Sequence, residues 1–141
     1  MHADNLKIEV IVPNHTRYLS LVGCVGEVVA KELASYSGNP ETLAYHLNLV
    51  LTEAVNNAIE HSFSEDPELK VRVTIQVKEG TLCIKVHDHG QGFDLNAVPL
   101  PDLDHPGEGG FGLYFIKTLM DSVCYRRLKH GNVLEMRKRL S

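Results

Sequence analysis

A chain of 141 residues with 43% hydrophobic and 23% charged content has room for one domain with a sizeable core, and fits an ordinary soluble globular protein. Its formal net charge of -4 disfavours nucleic acid as the main ligand, because phosphate-backbone binding needs clustered positive charge. No apolar run approaches the ~18 residues of a membrane span, and no signal-peptide pattern opens the chain.

Leu6 to Val12 alternates loosely and stops at Pro13, which predicts a first strand. Asn14 then caps a helix running to about Tyr36. Tyr18, Val22, Val25, Val29 and Leu33 give that helix a core face. Leu21, Cys24 and Val28 form a second apolar strip, read as a widened core face, with a partner or dimer surface as the alternative. Ser37-Gly38 ends the helix. Asn39-Pro40-Glu41 starts another, with Asn39 as cap and Pro40 at the first helical position.

This second helix carries Leu47, Val50, Leu51, Ala54 and Ala58 at helical spacing and ends near His61-Ser62. Glu53, Asn57 and His61 recur every four residues, so they form one polar stripe. The stripe follows the margin of the apolar face, drifting ~40° per step. A carboxylate, an amide and an imidazole beside a core are expensive unless something polar meets them. A metal-bound phosphate would satisfy all three; a solvated helix face is the alternative.

Val71 to Lys78 alternates without a break and predicts a strand with one wet face. Glu79-Gly80 is a turn, and Leu82 to Asp88 is the return strand. Asp88 shares its side with Leu82, Ile84 and Val86, so an acid points inward at a strand end and needs a hydrogen-bonding partner. His89-Gly90-Gln91-Gly92 follows, where the backbone turns sharply or approaches a ligand. Residues 94–108 have no periodicity and hold Pro99, Pro101 and Pro106, in keeping with a mobile lid. Gly109-Gly110-Phe111-Gly112 then opens an apolar helix, Leu113 to Met120. A glycine-rich turn at a helix start is a phosphate cradle by its physics, but without Gly-Lys-Ser/Thr it is not a P-loop. Val123–Leu128 and Val133–Lys138 are two more strands. Hairpins dominate this order, so an α+β fold follows, with a mostly antiparallel sheet and helices on one face.

The basic residues Arg126, Arg127, Lys129, Arg137, Lys138 and Arg139 read as the outer face of the last hairpin, with an acidic partner as a weaker alternative. Cys24, Cys83 and Cys124 fit no zinc spacing and read as reduced small core residues of a cytosolic protein.

Three motifs therefore stand in order: Glu53-Ala54-Val55-Asn56-Asn57-Ala58, Asp88-His89-Gly90-Gln91-Gly92 and Gly109-Gly110-Phe111-Gly112-Leu113. They resemble the N box and the two glycine boxes of the superfamily holding gyrase, heat-shock chaperone, histidine kinase and mismatch-repair ATPases. Within it the chain is most similar to the small anti-sigma-factor serine/threonine kinases, from about Leu6 to Leu140. A single stand-alone domain over residues 1–141 accords with that branch, since a histidine kinase needs a phospho-acceptor helix and gyrase-like proteins need a second domain.

The resemblance implies a two-layer α/β sandwich with a mixed, mostly antiparallel sheet (the Bergerat ATP-binding fold), binding ATP and Mg2+ between helices and sheet. It implies Asn57 as the metal ligand and Glu53 as general base toward the attacking hydroxyl. His61 matches a position near the phosphates; an ordinary surface histidine is its alternative. Asp88 would accept from the adenine amino group, with a strand-end cap as alternative. Gly90 and Gly92 would admit the base. Gly110 and Gly112 would place N–H groups around the phosphates, with Phe111 and Leu113 completing that nucleotide-binding motif. The ATP lid would span residues 94–109.

Two departures accompany the likeness. No Lys or Arg occurs between Lys85 and Lys117, so the lid offers no cation, and phosphate charge would rest on magnesium, backbone amides and His61, His89 or His105. Weak ATP affinity, or a cation donated by a partner, is the hypothesis this raises. Relatives often carry threonine after the glycine of the last hairpin; here it is Asn132, whose parity with Leu134 and Met136 lets it hold a water near Asp88.

The implied function is a cytoplasmic ATP-dependent serine/threonine protein kinase and anti-sigma factor of bacterial partner switching. It would bind a sigma factor and, alternately, phosphorylate an anti-anti-sigma (STAS-type) protein. Homodimerisation is expected, and direct contact with nucleic acid or membrane is not. A nucleotide-gated module that sequesters a partner without phosphoryl transfer is the second reading; Glu53 argues against it, because binding alone does not need that carboxylate. A detached histidine-kinase catalytic domain is the third.

Overall fold

The computed structural model describes residues 5–61, 68–90 and 111–141. Their elements are β1 (Leu6–Pro13), α1 (Leu19–Glu32), α2 (Pro40–Glu60), β2 (Lys70–Lys78), β3 (Thr81–Asp88), α3 (Phe111–Leu119), β4 (Ser122–Leu128) and β5 (Gly131–Arg139), with a 3-10 turn over Thr16–Tyr18 ahead of α1. The strands form one sheet in the order β1-β2-β3-β5-β4. Among the described residues the pairings are antiparallel, in line with the mostly antiparallel sheet expected.

Alternation decides which face is dry. Val71, Val73, Ile75 and Val77 of β2 and Leu82, Ile84 and Val86 of β3 are buried, and they pair directly: Val73 opposite Val86, Ile75 opposite Ile84, Val77 opposite Leu82. Arg72, Thr74, Lys85 and His87 point the other way, toward the open face. The helices cover only the dry face, giving the two-layer α+β architecture anticipated. Glu79 and Gly80 close the β2–β3 hairpin with φ of 54° and 76°, the paired left-handed geometry of a two-residue type I′ turn.

α2 is the central helix. Asn39 caps it as expected, accepting from the N–H groups of Glu41 at 2.8 Å and Thr42 at 3.2 Å. Leu43, Leu47, Val50, Leu51, Ala54, Val55 and Ala58 form its buried stripe. α1 lies unusually close along it. A β-carbon on Gly26 would stand 2.6 Å from Leu51 Cδ1 and 3.0 Å from the Leu47 carbonyl oxygen. Beside that contact, Asn48 donates to Glu27 at 3.1 Å and accepts from the Thr52 hydroxyl at 3.2 Å. This polar clamp ties the two helices in register at the margin of the core.

Four expectations need correction. Asn14 does not cap α1: it is buried, its N–H donates to the Leu69 carbonyl at 3.0 Å, and His15 Nδ1 caps the 3-10 turn instead by accepting from Arg17. α1 stops at Glu32, short of Tyr36, because Leu33 is already extended. The strip Leu21, Cys24, Val28 is not core: Leu21 is 54% and Val28 61% exposed. α1 has α2 as its main neighbour, so its far side meets solvent. The cysteines are free, but Cys24 and Cys124 are exposed and Cys83 is half-buried, so none is a core residue.

The basic residues of the last hairpin do form an outer surface. Arg126 (3.1 Å) and Arg137 (2.7 Å) share the Glu135 carboxylate, which the Arg137 hydrogen bond, and then its charge, hold below its ordinary value against the opposing effect of burial. The connection over residues 62–67 and the expected lid over 94–109 lie outside the described residues.

Candidate functional site

Glu53, Asn57 and His61 are all half-buried along one margin of α2, beside the buried Ala54 and Ala58. Burial raises the Glu53 carboxyl above its ordinary value of 4.5, and the negative charge of Glu60 raises it further. Glu60 is itself held by Asn56, whose amide donates to it at 3.2 Å. His61 closes the helix, its N–H donating to the Asn57 carbonyl at 3.1 Å.

The start of α3 comes to the middle of α2. A β-carbon on Gly112 would overlap Glu53 Oε2 and stand 3.2 Å from Glu53 Cδ. The two motifs are distant in sequence yet in van der Waals contact here. Phe111 is the first residue of α3, and Leu113 packs against the core. The first N–H groups of such a helix have no partner within it, and the helix dipole favours an anion there. Gly92 and Gly110 lie outside the described residues.

The third cluster sits at the end of β3. Asp88 and Asn132 are direct cross-strand partners in the β3–β5 register. Both are buried, Asp88 at 7% and Asn132 at 3% exposure. Asp88 Oδ1 accepts from the Gly90 N–H at 2.8 Å and from Asn132 Nδ2 at 2.9 Å. Asn132 Nδ2 also donates to the Gly90 carbonyl at 2.8 Å. The inward parity of Asp88 is thus borne out, and its Oδ1 does cap the strand end. Asn132 binds Asp88 directly rather than through the water expected of it.

Two glycines make this cluster possible. A β-carbon on Gly90 would overlap the His61 carbonyl, so the bend after β3 abuts the end of α2. Gly131 has φ of 113°, and a β-carbon there would overlap the Asp88 carbonyl. Tyr125, on β4, is pushed up to about 12, chiefly by burial and then by the Asp88 charge.

The structure therefore joins Glu53 to Gly112 at one place, and His61, Gly90, Asp88 and Asn132 at another. α2 links them: Glu53 and His61 are eight residues apart, roughly 12 Å along the axis. An extended ligand could lie along this margin, its polar ring at the Asp88 end and its anion at the α3 end. Sequence reasoning missed the direct Asn132–Asp88 bond and the influence of Glu60 on Glu53. Parity placed Asn132 on the correct side, but its partner depended on which strand lay next to β3.

Residues 20–138 match the histidine kinase-like ATPase domain family. Serine-protein kinase RsbW of Bacillus subtilis (strain 168) is 31% identical over 124 residues, covering 82% of this chain and 75% of that protein. Serine-protein kinase RsbW of Listeria monocytogenes serovar 1/2a is 30% identical over 125 residues, covering 83% and 77%. The histidine kinase domain of the Erythrobacter litoralis EL346 blue-light activated histidine kinase superposes with a TM-score of 0.55 at 21% identity, covering 91% of this chain and 61% of that one. That last likeness is one of fold.

Proposed function

This chain belongs to the histidine kinase-like ATPase domain family, and from that premise we propose that it is an ATP-dependent serine/threonine protein kinase and anti-sigma factor acting in the cytoplasm. Its substrate is a hydroxyl on a small STAS-type anti-anti-sigma protein, and its alternate partner is a sigma factor. The observation that carries the proposal is Glu53: a half-buried carboxylate, its proton affinity raised, held against the opening of α3.

The donor set fits Mg-ATP. Asp88 Oδ2 takes no hydrogen bond among the described residues and can accept from an exocyclic amine. The glycine backbones at Gly90 and Gly112 leave room that a side chain would fill. Asn57, one helical turn beyond Glu53, offers an amide oxygen of the kind a hard cation takes. Gly92 and Gly110 complete the two glycine motifs, and residues 94–109 serve as the lid. Bound Mg-ATP supplies the phosphoryl group and the cationic charge that steadies it.

The chain's own residues do the rest. Glu53 accepts the proton of the incoming hydroxyl, a task suited to a carboxylate whose pKa is raised toward neutrality. The α3 opening holds negative charge in place with backbone N–H groups, and positioning supplies most of the remaining acceleration. A second copy of the chain covers the exposed Leu21–Val28 strip of α1.

The test is capture of partners from the native cell by wild type and by Asn57→Ala, followed by incubation with labelled Mg-ATP. The expected result is a small protein labelled by wild type only, with acid-stable label. A partner captured and never labelled would overturn kinase activity in favour of a nucleotide-gated binding module. Acid-labile label would mark a histidine kinase instead.

A further inference from the structure

The helices pack on the dry face of the sheet, and strand alternation turns a different set of side chains to the open face. β2 points Lys70, Arg72 and Lys78 that way, beside Lys85 of β3. Arg137 and Arg139 of β5 follow the same parity, with Lys7 of β1 and Arg126 of β4 at the two edges. The acids of this face are Glu9 and Glu135. Eight of the chain's 14 basic residues and two of its 18 acids thus stand on one surface. The formal net charge of -4 hides this division: the open face is basic, and the rest of the chain carries most of the acids.

At one end the face is also hollow. A cavity of about 350 Å³ is lined by Ile11 of β1 and Leu128 of β4, the two edge strands, so it crosses the sheet. Both side chains are exposed, Ile11 at 57% and Leu128 at 44%. Lys70, Arg72 and His130 line it as well. Neither Lys70 nor Arg72 has a carboxylate partner among the described residues, whereas Arg126 and Arg137 are held by Glu135. His87 forms part of the wall, and its Nδ1 is buried without a hydrogen-bond partner among the described residues. A buried polar atom left open in this way calls for a group from outside. Asp88 and Asn132 border the cavity too, but their side chains are bonded to each other.

Nucleic acid is a poor match for this surface. The face presents no Phe, Tyr or Trp on which a base could stack, and Glu9 and Glu135 repel a phosphate chain. A membrane asks for apolar side chains that protrude, whereas Ile11 and Leu128 line a hollow. Protein carboxylates suit it better. Guanidinium and ammonium groups around an apolar hollow match acids that flank one buried apolar side chain, with charge-assisted hydrogen bonds at the rim and an anchor at the centre. We propose that the open face of the sheet docks an acidic protein segment, which seats one apolar side chain between Ile11 and Leu128. This surface lies apart from the Glu53–Gly112 contact and needs no nucleotide.

The test is fluorescence anisotropy of the full chain with a labelled acidic peptide carrying one central leucine, and with the same peptide carrying alanine there. The expected result is binding at least tenfold tighter for the leucine peptide, since the larger side chain buries more apolar surface. Arg72→Glu should weaken the leucine peptide at least tenfold, and Leu128→Ser should erase the preference for leucine. Equal binding of the two peptides overturns the inference, because charge alone is then read. Binding unchanged in Arg72→Glu overturns it by placing the peptide elsewhere, and a leucine preference that survives Leu128→Ser does the same for the cavity. No binding at millimolar peptide overturns it outright. Phosphatidylserine vesicles or duplex DNA held more tightly than the peptide, and released by Arg72→Glu, would replace the protein partner by a membrane or a nucleic acid. Assembly of the chain with itself, lost in Arg72→Glu, would replace it by a second copy. If a variant does not fold, the wild-type comparison of the two peptides decides by itself.

Discussion

Glu53 Oε2 occupies the space in which a β-carbon of residue 112 would stand. Gly112 is therefore glycine for room, not for backbone freedom: the positive-φ glycines among the described residues are Gly80 and Gly131. The contact joins the α2 margin to the opening of α3, where we propose the general base and the anion cradle meet.

Gly112→Ala should push the Glu53 carboxylate aside while leaving the fold intact, since alanine is the better helix former. Displacements near 1 Å can lower rates by about a hundredfold. The expected outcome is a loss of that order in phosphoryl transfer with little change in unfolding temperature, checked by partner phosphorylation and thermal melts.

The pH response of Glu53 has a definite sign. Burial, and then Glu60, raise its folded pKa above 4.5. Below pH 4.5 the carboxyl is protonated in both folded and unfolded chains and has no pH-linked effect. As pH rises through the raised folded value, the fold must accommodate an ionised group it disfavours, and stability declines. Glu53→Gln should therefore match wild type in melting temperature at low pH and exceed it at neutral pH, while losing roughly 10²- to 10⁴-fold in transfer rate. Glu60→Gln removes the neighbouring charge and should move the acid limb of the wild-type rate profile to lower pH.

Asn132→Leu removes the amide but keeps approximate volume. Asp88 Oδ1 retains only the Gly90 N–H, and the Gly90 carbonyl loses a buried partner. Each buried polar group left short costs about 1–3 kcal/mol, so a total loss of roughly 2–6 kcal/mol is expected in urea unfolding. A neutral result would mean that water replaces the amide.

Leu21→Glu combined with Val28→Glu tests the second copy assigned to α1. Both side chains are mostly exposed, so the change should leave stability within about 0.5 kcal/mol. Light scattering should report a monomer where wild type is a dimer; wild-type monomer at the same concentration would refute the assignment.

Much of this molecule is written in local pattern. The strict alternation from Val71 to Lys78 and from Leu82 to Asp88 determined two strands, their hairpin and the inward side of Asp88. Asn39-Pro40 determined the start of α2, and the four-residue recurrence of Glu53, Asn57 and His61 determined a single stripe beside its buried face. Such signals report which way a side chain points from its own backbone, and they survive because period 2 and period 3.6 are properties of one element alone. Tertiary structure decided what each of these side chains meets. Asn132 reaches Asp88 because β5, and not β4, lies next to β3. Gly112 reaches Glu53 because α3 docks on α2. Leu21 and Val28 face solvent because α1 has α2 as its main neighbour, although their spacing alone reads as core. Contacts between elements depend on strand order and helix docking, which pool the burial of the whole chain, and no local period carries that information.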